Sequence, residues 1–242
     1  MRIYHYTTIE TLALILHHKT IRFARLDTVD DPDEYGFEMD AHNPAKYTYV
    51  SCWTTNSKES IPQWVMYGNQ KRGVRISLDS NLFEIEEKGR HKYILKYKEQ
   101  EKNDYFIMPI LNNSLLRNIY YVENVKSYYD NIFANINGQT GINFNEVGCY
   151  KSKDWEFQQE CRFVIYAFPK NIDGHMFSPS YIIENNIYPK VRYIDLPIKE
   201  SIINSMEIVL GPMSSAADRI IVESLCERYG INNALVSKSV FI

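Results

Sequence analysis

Four groups of residues in this 242-residue chain combine side-chain types and spacings that could do chemistry. The first is His5, set between Tyr4 and Tyr6 where a strand gives way to a helix. An imidazole there could bind or titrate against a ligand, or it could be a half-buried histidine bonded to a backbone carbonyl. The second is Asp30-Asp31-Pro32-Asp33-Glu34. Clustered carboxylates can hold a hard cation, but this run lacks the alternation and internal glycine of a calcium loop. A solvated acidic turn is the other reading. The third is Ser51-Cys52-Trp53 followed by Trp64 and Tyr67. Helical residues three apart share a face, so Trp64 and Tyr67 could wall a pocket for a flat ring or pack as core.

The fourth group heads the run Glu160-Cys161-Arg162-Phe163-Val164-Ile165-Tyr166. Alternation in a strand sends Cys161, Phe163 and Ile165 to one face and Glu160, Arg162, Val164 and Tyr166 to the other. Opposite charges at the head of so apolar a strand must be paired, solvated or used, because burying either alone is costly. An internal ion pair and a functional carboxylate both fit.

The elements that must position these groups follow from local pattern. Ile3 to Tyr6 reads as a strand, and Thr7 with Glu10 fits a capping box opening a helix to about Lys19. Thr20 to Ala24 is a second strand, and Asp27 to Gly36 is turn-rich. Tyr47 to Thr54 is a buried strand, rich in aromatic and β-branched residues. Ser60 and Pro62 start a short helix that Gly68 ends. Val74, Ile76 and Leu78 mark a half-buried strand, and Tyr93 to Tyr97 another. Leu111, Leu115, Ile119 and Val122 predict a helical insertion over about 104–137. Strands follow at 160–168, 191–194, 208–210 and 235–242. Ser214 or Ser215 caps a last amphipathic helix with Ile220, Ile221, Leu225 and Cys226. The expected fold is α+β, a single domain over 1–242 with a mixed or antiparallel central sheet flanked by helices.

Composition narrows the function. Acidic residues number 30 against 27 basic, so the basic excess of a non-specific nucleic-acid binder is missing. Lys71-Arg72 with Arg75 is the local exception. The four cysteines are spread out with no CxxC pair, which suits free thiols in a reducing compartment. No apolar run approaches the ~20 residues that span a bilayer. The chain opens with strand-like residues in place of a signal peptide, and a cytoplasmic location is expected. His17 and His18 are adjacent, not four apart, and no P-loop, GxGxxG or GxSxG is present.

Taken in order, His5-Tyr6-Thr7, Ile21-Arg22-Phe23, Asp31-Pro32 with Glu34, Ser51-Cys52-Trp53, Trp64 with Tyr67, Gly73, Trp155-Glu156 with Glu160-Cys161-Arg162, and Ile208-Val209-Leu210-Gly211 form a pattern. It resembles, along nearly the whole chain, a large bacterial and phage family catalogued as a domain of unknown function. More distantly, a strand with His, a helix, a short strand and a late strand headed by Glu is similar to ADP-ribosyltransferases of the His-Tyr-Glu type. The opening resembles their DNA- and RNA-directed members, and a split two-sheet core would follow.

That second resemblance implies NAD as substrate and no metal. His5 would bond the adenosine-side ribose and the nicotinamide amide region, Tyr67 would stack on nicotinamide, and Glu160 would bind the nicotinamide ribose hydroxyl. Tyr6, Thr7, Arg22, Trp64 and Arg162 would surround the cofactor, with Arg162 or Arg22 on the pyrophosphate. Cleaving the glycosidic bond builds positive charge on the ribose, which a fixed carboxylate stabilises. Two departures stand out: Tyr67 falls in a helix, and Gln158 takes the place of the small polar residue two before the catalytic Glu. The implied function is an ADP-ribosyltransferase or NAD glycohydrolase, in phage defence or as a toxin, with a protein or nucleic-acid acceptor. A non-catalytic module sensing a nucleotide or a protein is the alternative.

Overall fold

The computed structural model describes residues 1–36, 43–110, 115–128, 132–136, 139–171, 173–175, 177, 181–182, 185–232 and 235–241. Its strands are β1 (Arg2–Thr7), β2 (Thr20–Arg25), β3 (Thr48–Thr54), β4 (Val74–Asp79), β5 (Glu86–Lys88), β6 (His91–Tyr93), β7 (Tyr105–Ile107) and β8 (Leu116–Asn118). They continue as β9 (Tyr120–Val122), β10 (Phe133–Ile136), β11 (Gln139–Ile142), β12 (Tyr150–Ser152), β13 (Glu160–Pro169), β14 (Tyr193–Pro197), β15 (Glu207–Leu210) and β16 (Val236–Lys238). The helices are α1 (Ile9–His18), α2 (Ile61–Met66), α3 (Tyr97–Gln100), α4 (Glu200–Asn204) and α5 (Ala216–Tyr229). The architecture is the expected α+β, with a mainly antiparallel central sheet.

Ten strands form that sheet, in the path β14-β2-β3-β1-β4-β15-β16, with β13 branching from β3 and carrying β7 and β8. The register shows how the branch arises. Thr54 pairs both Tyr4 of β1 and Glu160 of β13, while Val50 pairs both Ala24 of β2 and Val164 of β13. So β13 runs along one edge of β3, and β1 and β2 meet the other edge at opposite ends. β1 touches β3 through that single pair but follows β4 through six. The sheet therefore parts where β1 leaves β3.

Alternation along β13 places its side chains as expected. Cys161, Phe163, Ile165 and Ala167 join the larger core, under α1 and α5 residues such as Leu12, Leu16, Val222 and Cys226. Val164 and Tyr166 join a smaller cluster with Leu26, Val50 and Val147 on the other face. β4 is more enclosed than its alternation implied. It lies between β1 and β15, and Arg75 and Ser77 are buried along with Val74, Ile76 and Leu78.

Several local expectations shift. The helix over 104–137 is not found among the described residues, which form β7, β8, β9, a 3-10 turn at Val125–Tyr128 and β10. Leu111 lies outside them. Pro109, the asparagines and Tyr120-Tyr121-Val122 disfavour a helix; Leu115 just precedes β8 and packs against the larger core, and Ile119 is buried at the link between β8 and β9. The cap of α1 is Thr8, whose hydroxyl accepts from the Thr11 amide at 3.1 Å, because Thr7 still pairs with Val74. The strand expected at Tyr93 to Tyr97 ends at Tyr93, and Tyr97 opens α3; the strand at 191–194 begins at Tyr193. Ser215 and Asp218 form a full capping box on α5. Its inner face is Asp218, Val222 and Cys226, leaving Ile220 and Ile221 exposed.

Candidate functional site

The gap between β1 and β3 is a cavity of about 270 Å³. β1 supplies Tyr4, His5 and Tyr6, β2 supplies Ala24, β3 supplies Cys52, Trp53 and Thr54, and β13 supplies Glu160 and Arg162. Gln63, Tyr67, Lys151, Gln158 and residues 28–30 close the remainder. His5, Tyr67 and Glu160, from three distant parts of the chain, thus face one space.

Each is placed by a local device. His5 spans the parting of the strands, its Nδ1 lying 2.8 Å from the Cys52 carbonyl and its ring 5.1 Å from that of Trp53. A carbonyl only accepts, so Nδ1 carries the proton and donates, and Nε2 is left with a lone pair. Burial lowers the imidazole's pKa, only partly offset by the Cys52 bond, so His5 is neutral near pH 7. Nε2 has no partner among the described residues.

Tyr67 follows the last turn of α2, and the chain then turns back through Gly68 to Gly73. Gly73 donates to the Gly68 carbonyl at 2.7 Å. A Cβ on Gly73 would stand 2.2 Å from the Thr7 carbonyl oxygen, so only glycine lets this loop close against the end of β1. The Tyr67 hydroxyl accepts from Gln158 Nε2 at 2.8 Å. Burial, then Asp30 and Glu160 nearby, push its pKa up, so it stays an O–H donor.

Glu160 starts β13 after a 3-10 turn, Lys153–Gln158, that Ser152 caps. Gln159 then takes a left-handed conformation, φ 43°, and its carbonyl accepts from Thr54 at 2.9 Å. This reversal brings Gln158 and Glu160 to the same cavity.

Beneath the cavity lies a closed ionic group. Arg162 donates through Nε and Nη2 to Glu160, and through Nη1 to Glu34 and to the Gly148 carbonyl. Lys151 Nζ is 3.1 Å from Glu160 Oε2 and 3.0 Å from Glu34 Oε1. All four side chains are buried, and their charges sum to zero. Burial alone would raise the Glu160 carboxyl, but Arg162 and Lys151 reverse that and hold it down at about 2. The Cys52 thiol beside it is pushed well up, chiefly by burial, so it is no thiolate nucleophile at neutral pH.

Of the residues expected around a cofactor, Tyr6 and Arg162 line the cavity. Arg162 is not available for a pyrophosphate, since two carboxylates already surround it. Arg22 is on β2 but its guanidinium is bonded to Asp195 at 2.9 Å and lies over Tyr193. Trp64 is fully buried, its indole N–H donating to Glu59 at 2.9 Å, and Tyr6 packs edge-on against it. It is core. Thr7 is buried at the end of β1, with its carbonyl against Gly73.

The acidic run is not a solvated turn throughout: Glu34 joins the ionic group and Asp31 is buried, while Asp30 borders the cavity. Among the described residues no three His, Cys, Asp or Glu gather as a metal site. The basic cluster also disperses. Arg72 pairs with Asp218 at 3.0 Å, and Arg75 is buried over the Tyr4 ring. Sequence reasoning missed Lys151, Glu34 as an ion-pair partner, and Gln63. The need for a cation to balance Glu160 was the one available signal, and it pointed only to Arg162.

Residues 63–163 match the family described as "Protein of unknown function (DUF2971)". The DUF2971 segment runs from α2 into β13, so it carries Tyr67, Lys151, Gln158, Glu160 and Arg162 and leaves His5 and Glu34 outside. No curated protein and no solved structure matches the chain. Among the described residues no helix is long and apolar enough to cross a membrane.

Proposed function

We propose that the cavity is an NAD-cleaving site, transferring ADP-ribose to an acceptor or to water. The observation that carries this reading is that His5, Tyr67 and Glu160 line one cavity, the three residues that the resemblance to His-Tyr-Glu transferases singles out. At about 270 Å³ the space falls just short of the roughly 300 Å³ at which small-molecule sites begin. It suits the nicotinamide ring and part of its ribose, with the rest of the dinucleotide outside. Glu160 stays ionised at any physiological pH, as stabilising an oxocarbenium-like ribose requires. The acceptor, a protein or a nucleic acid, would approach from the open side. Such chemistry would suit a role as a toxin or in phage defence.

The test is release of nicotinamide from NAD by the purified protein, with and without cell extract, compared with Glu160→Gln protein at equal folded concentration. The reading requires release by the wild type and its loss in the variant. One observation favours a second reading, a nucleotide-sensing module without turnover: two cations and a thiol already engage the Glu160 carboxylate. That reading predicts ligand-induced thermal stabilisation and no nicotinamide release.

A further inference from the structure

The buried polar groups of the cavity leave a specific pattern of free hydrogen-bonding capacity. Gln158 is 4% exposed. Its Nε2 donates to Tyr67, but its side-chain oxygen Oε1 is buried with no partner. A buried amide oxygen without a donor is costly, and native proteins rarely keep one without a reason. The Tyr67 hydroxyl beside it accepts from Gln158, and its own proton has no acceptor among the described residues. A free acceptor and a free donor thus sit side by side. The cavity's two cations, Lys151 and Arg162, are both held by Glu34 and Glu160. An anionic group entering here would meet Glu160 and Asp30 without a free positive charge.

We infer that Gln158 and Tyr67 together read an amide edge: Gln158 Oε1 accepts an N–H from the ligand, and the Tyr67 O–H donates to the carbonyl next to it. The ligand class is a flat, uncharged or cationic ring bearing a carboxamide, or a heterocycle whose ring N–H adjoins a C=O. The corresponding carboxylic acid is rejected, because at neutral pH it offers no donor to Gln158 and brings a negative charge toward Glu160. Gln158 is the specificity-determining residue, and Tyr67 fixes which end of its amide faces the ligand. Naming nicotinamide as the biological amide rests on the NAD reading; the amide edge itself does not.

The experiment is calorimetric titration of the full chain with nicotinamide, nicotinic acid and hypoxanthine, which separate carboxamide, carboxylate and lactam. For the wild type, one of the two amide-edge ligands binds at least tenfold tighter than nicotinic acid. Which of them wins identifies the source of the edge. In Gln158→Leu that preference falls to within threefold. In Tyr67→Phe the Gln158 amide is free to turn its NH₂ toward the ligand, and the acid gains relative to the amide. Should Gln158→Leu not fold, Tyr67→Phe and Gln158→Met carry the test, the latter removing the amide oxygen and bringing the preference to within threefold. Equal binding of amide and acid by the wild type, no binding of any of the three, or a preference unchanged in these variants overturns the inference. Nicotinamide release from NAD is scored separately. Amide preference without release retains the edge and removes the NAD chemistry, and release without preference does the opposite.

Discussion

The floor and the wall of the cavity treat polarity in opposite ways. In the floor, Glu34, Lys151, Glu160 and Arg162 each face opposite charge and leave no net charge over, although Glu34 Oε1 meets Lys151 at 3.0 Å without an aligned hydrogen bond. In the wall, Gln158 Oε1 is a buried acceptor without a donor, and the Nε2 of half-buried His5 has no partner among the described residues. Burial explains the contrast. A buried charge without a partner costs several kcal/mol, so the fold can place Glu160 there only by closing the ionic group around it. A buried neutral amide oxygen without a donor costs ~1–3 kcal/mol, a deficit the fold can carry and a ligand can relieve. The floor sets charge and geometry, while the wall is where recognition is open.

The largest effect should come from breaking the floor. Arg162→Met leaves two buried carboxylates facing Lys151 alone, and a destabilisation of about 3–5 kcal/mol is expected, measured by urea unfolding. If stability is retained to within about 1 kcal/mol, the group is hydrated and the contrast with the wall fails. Acid titration sharpens the same point. Glu160's folded pKa, about 2, lies below its ordinary 4.5. Its contribution to stability is therefore complete above pH 4.5 and is lost as pH falls toward 2. Following unfolding free energy across that window should show the loss, and Glu160→Gln should remove this group's share of it.

His5 adds a weaker limb of the same sign. Its folded pKa lies below 6.5 chiefly through burial, so below pH 6.5 the unfolded chain takes the proton first and stability declines. His5→Gln should lessen that decline between pH 6.5 and 5, and an unchanged slope would show that His5 is not held neutral. Smallest of all, Arg22→Ala should change stability by less than about 1 kcal/mol, since its pair with Asp195 is largely exposed. Nicotinamide binding in that variant should match the wild type, because the guanidinium lies outside the cavity. A tenfold loss would return Arg22 to the site.

The same contrast explains what could be read from the sequence. β13 was legible because a long run of β-branched and aromatic residues reads as a buried strand, and strand alternation then puts Glu160 and Arg162 on one face. Ser215 was legible because a capping box is local. Lys151 was not, since a lysine in the run Cys149-Tyr150-Lys151-Ser152 looks like any surface lysine until β12 pairs with β9 and turns it inward. Glu34 hid in an acidic run for the same reason. Trp64 and Tyr67, three apart, could wall a pocket or pack as core, and the structure divides them: α2 buries Trp64 completely and ends at Met66, and Tyr67 lines the cavity. Spacing reveals a shared face and says little about where a helix stops.

The most direct test is a crystal structure of Glu160→Gln protein soaked with NAD. Density for the nicotinamide ring in the cavity, its carboxamide beside Gln158 and Tyr67 and its ribose beside residue 160, is the expected result. An empty cleft at saturating NAD, or dinucleotide bound at another surface while the parting of β1 from β3 stays vacant, would contradict the account.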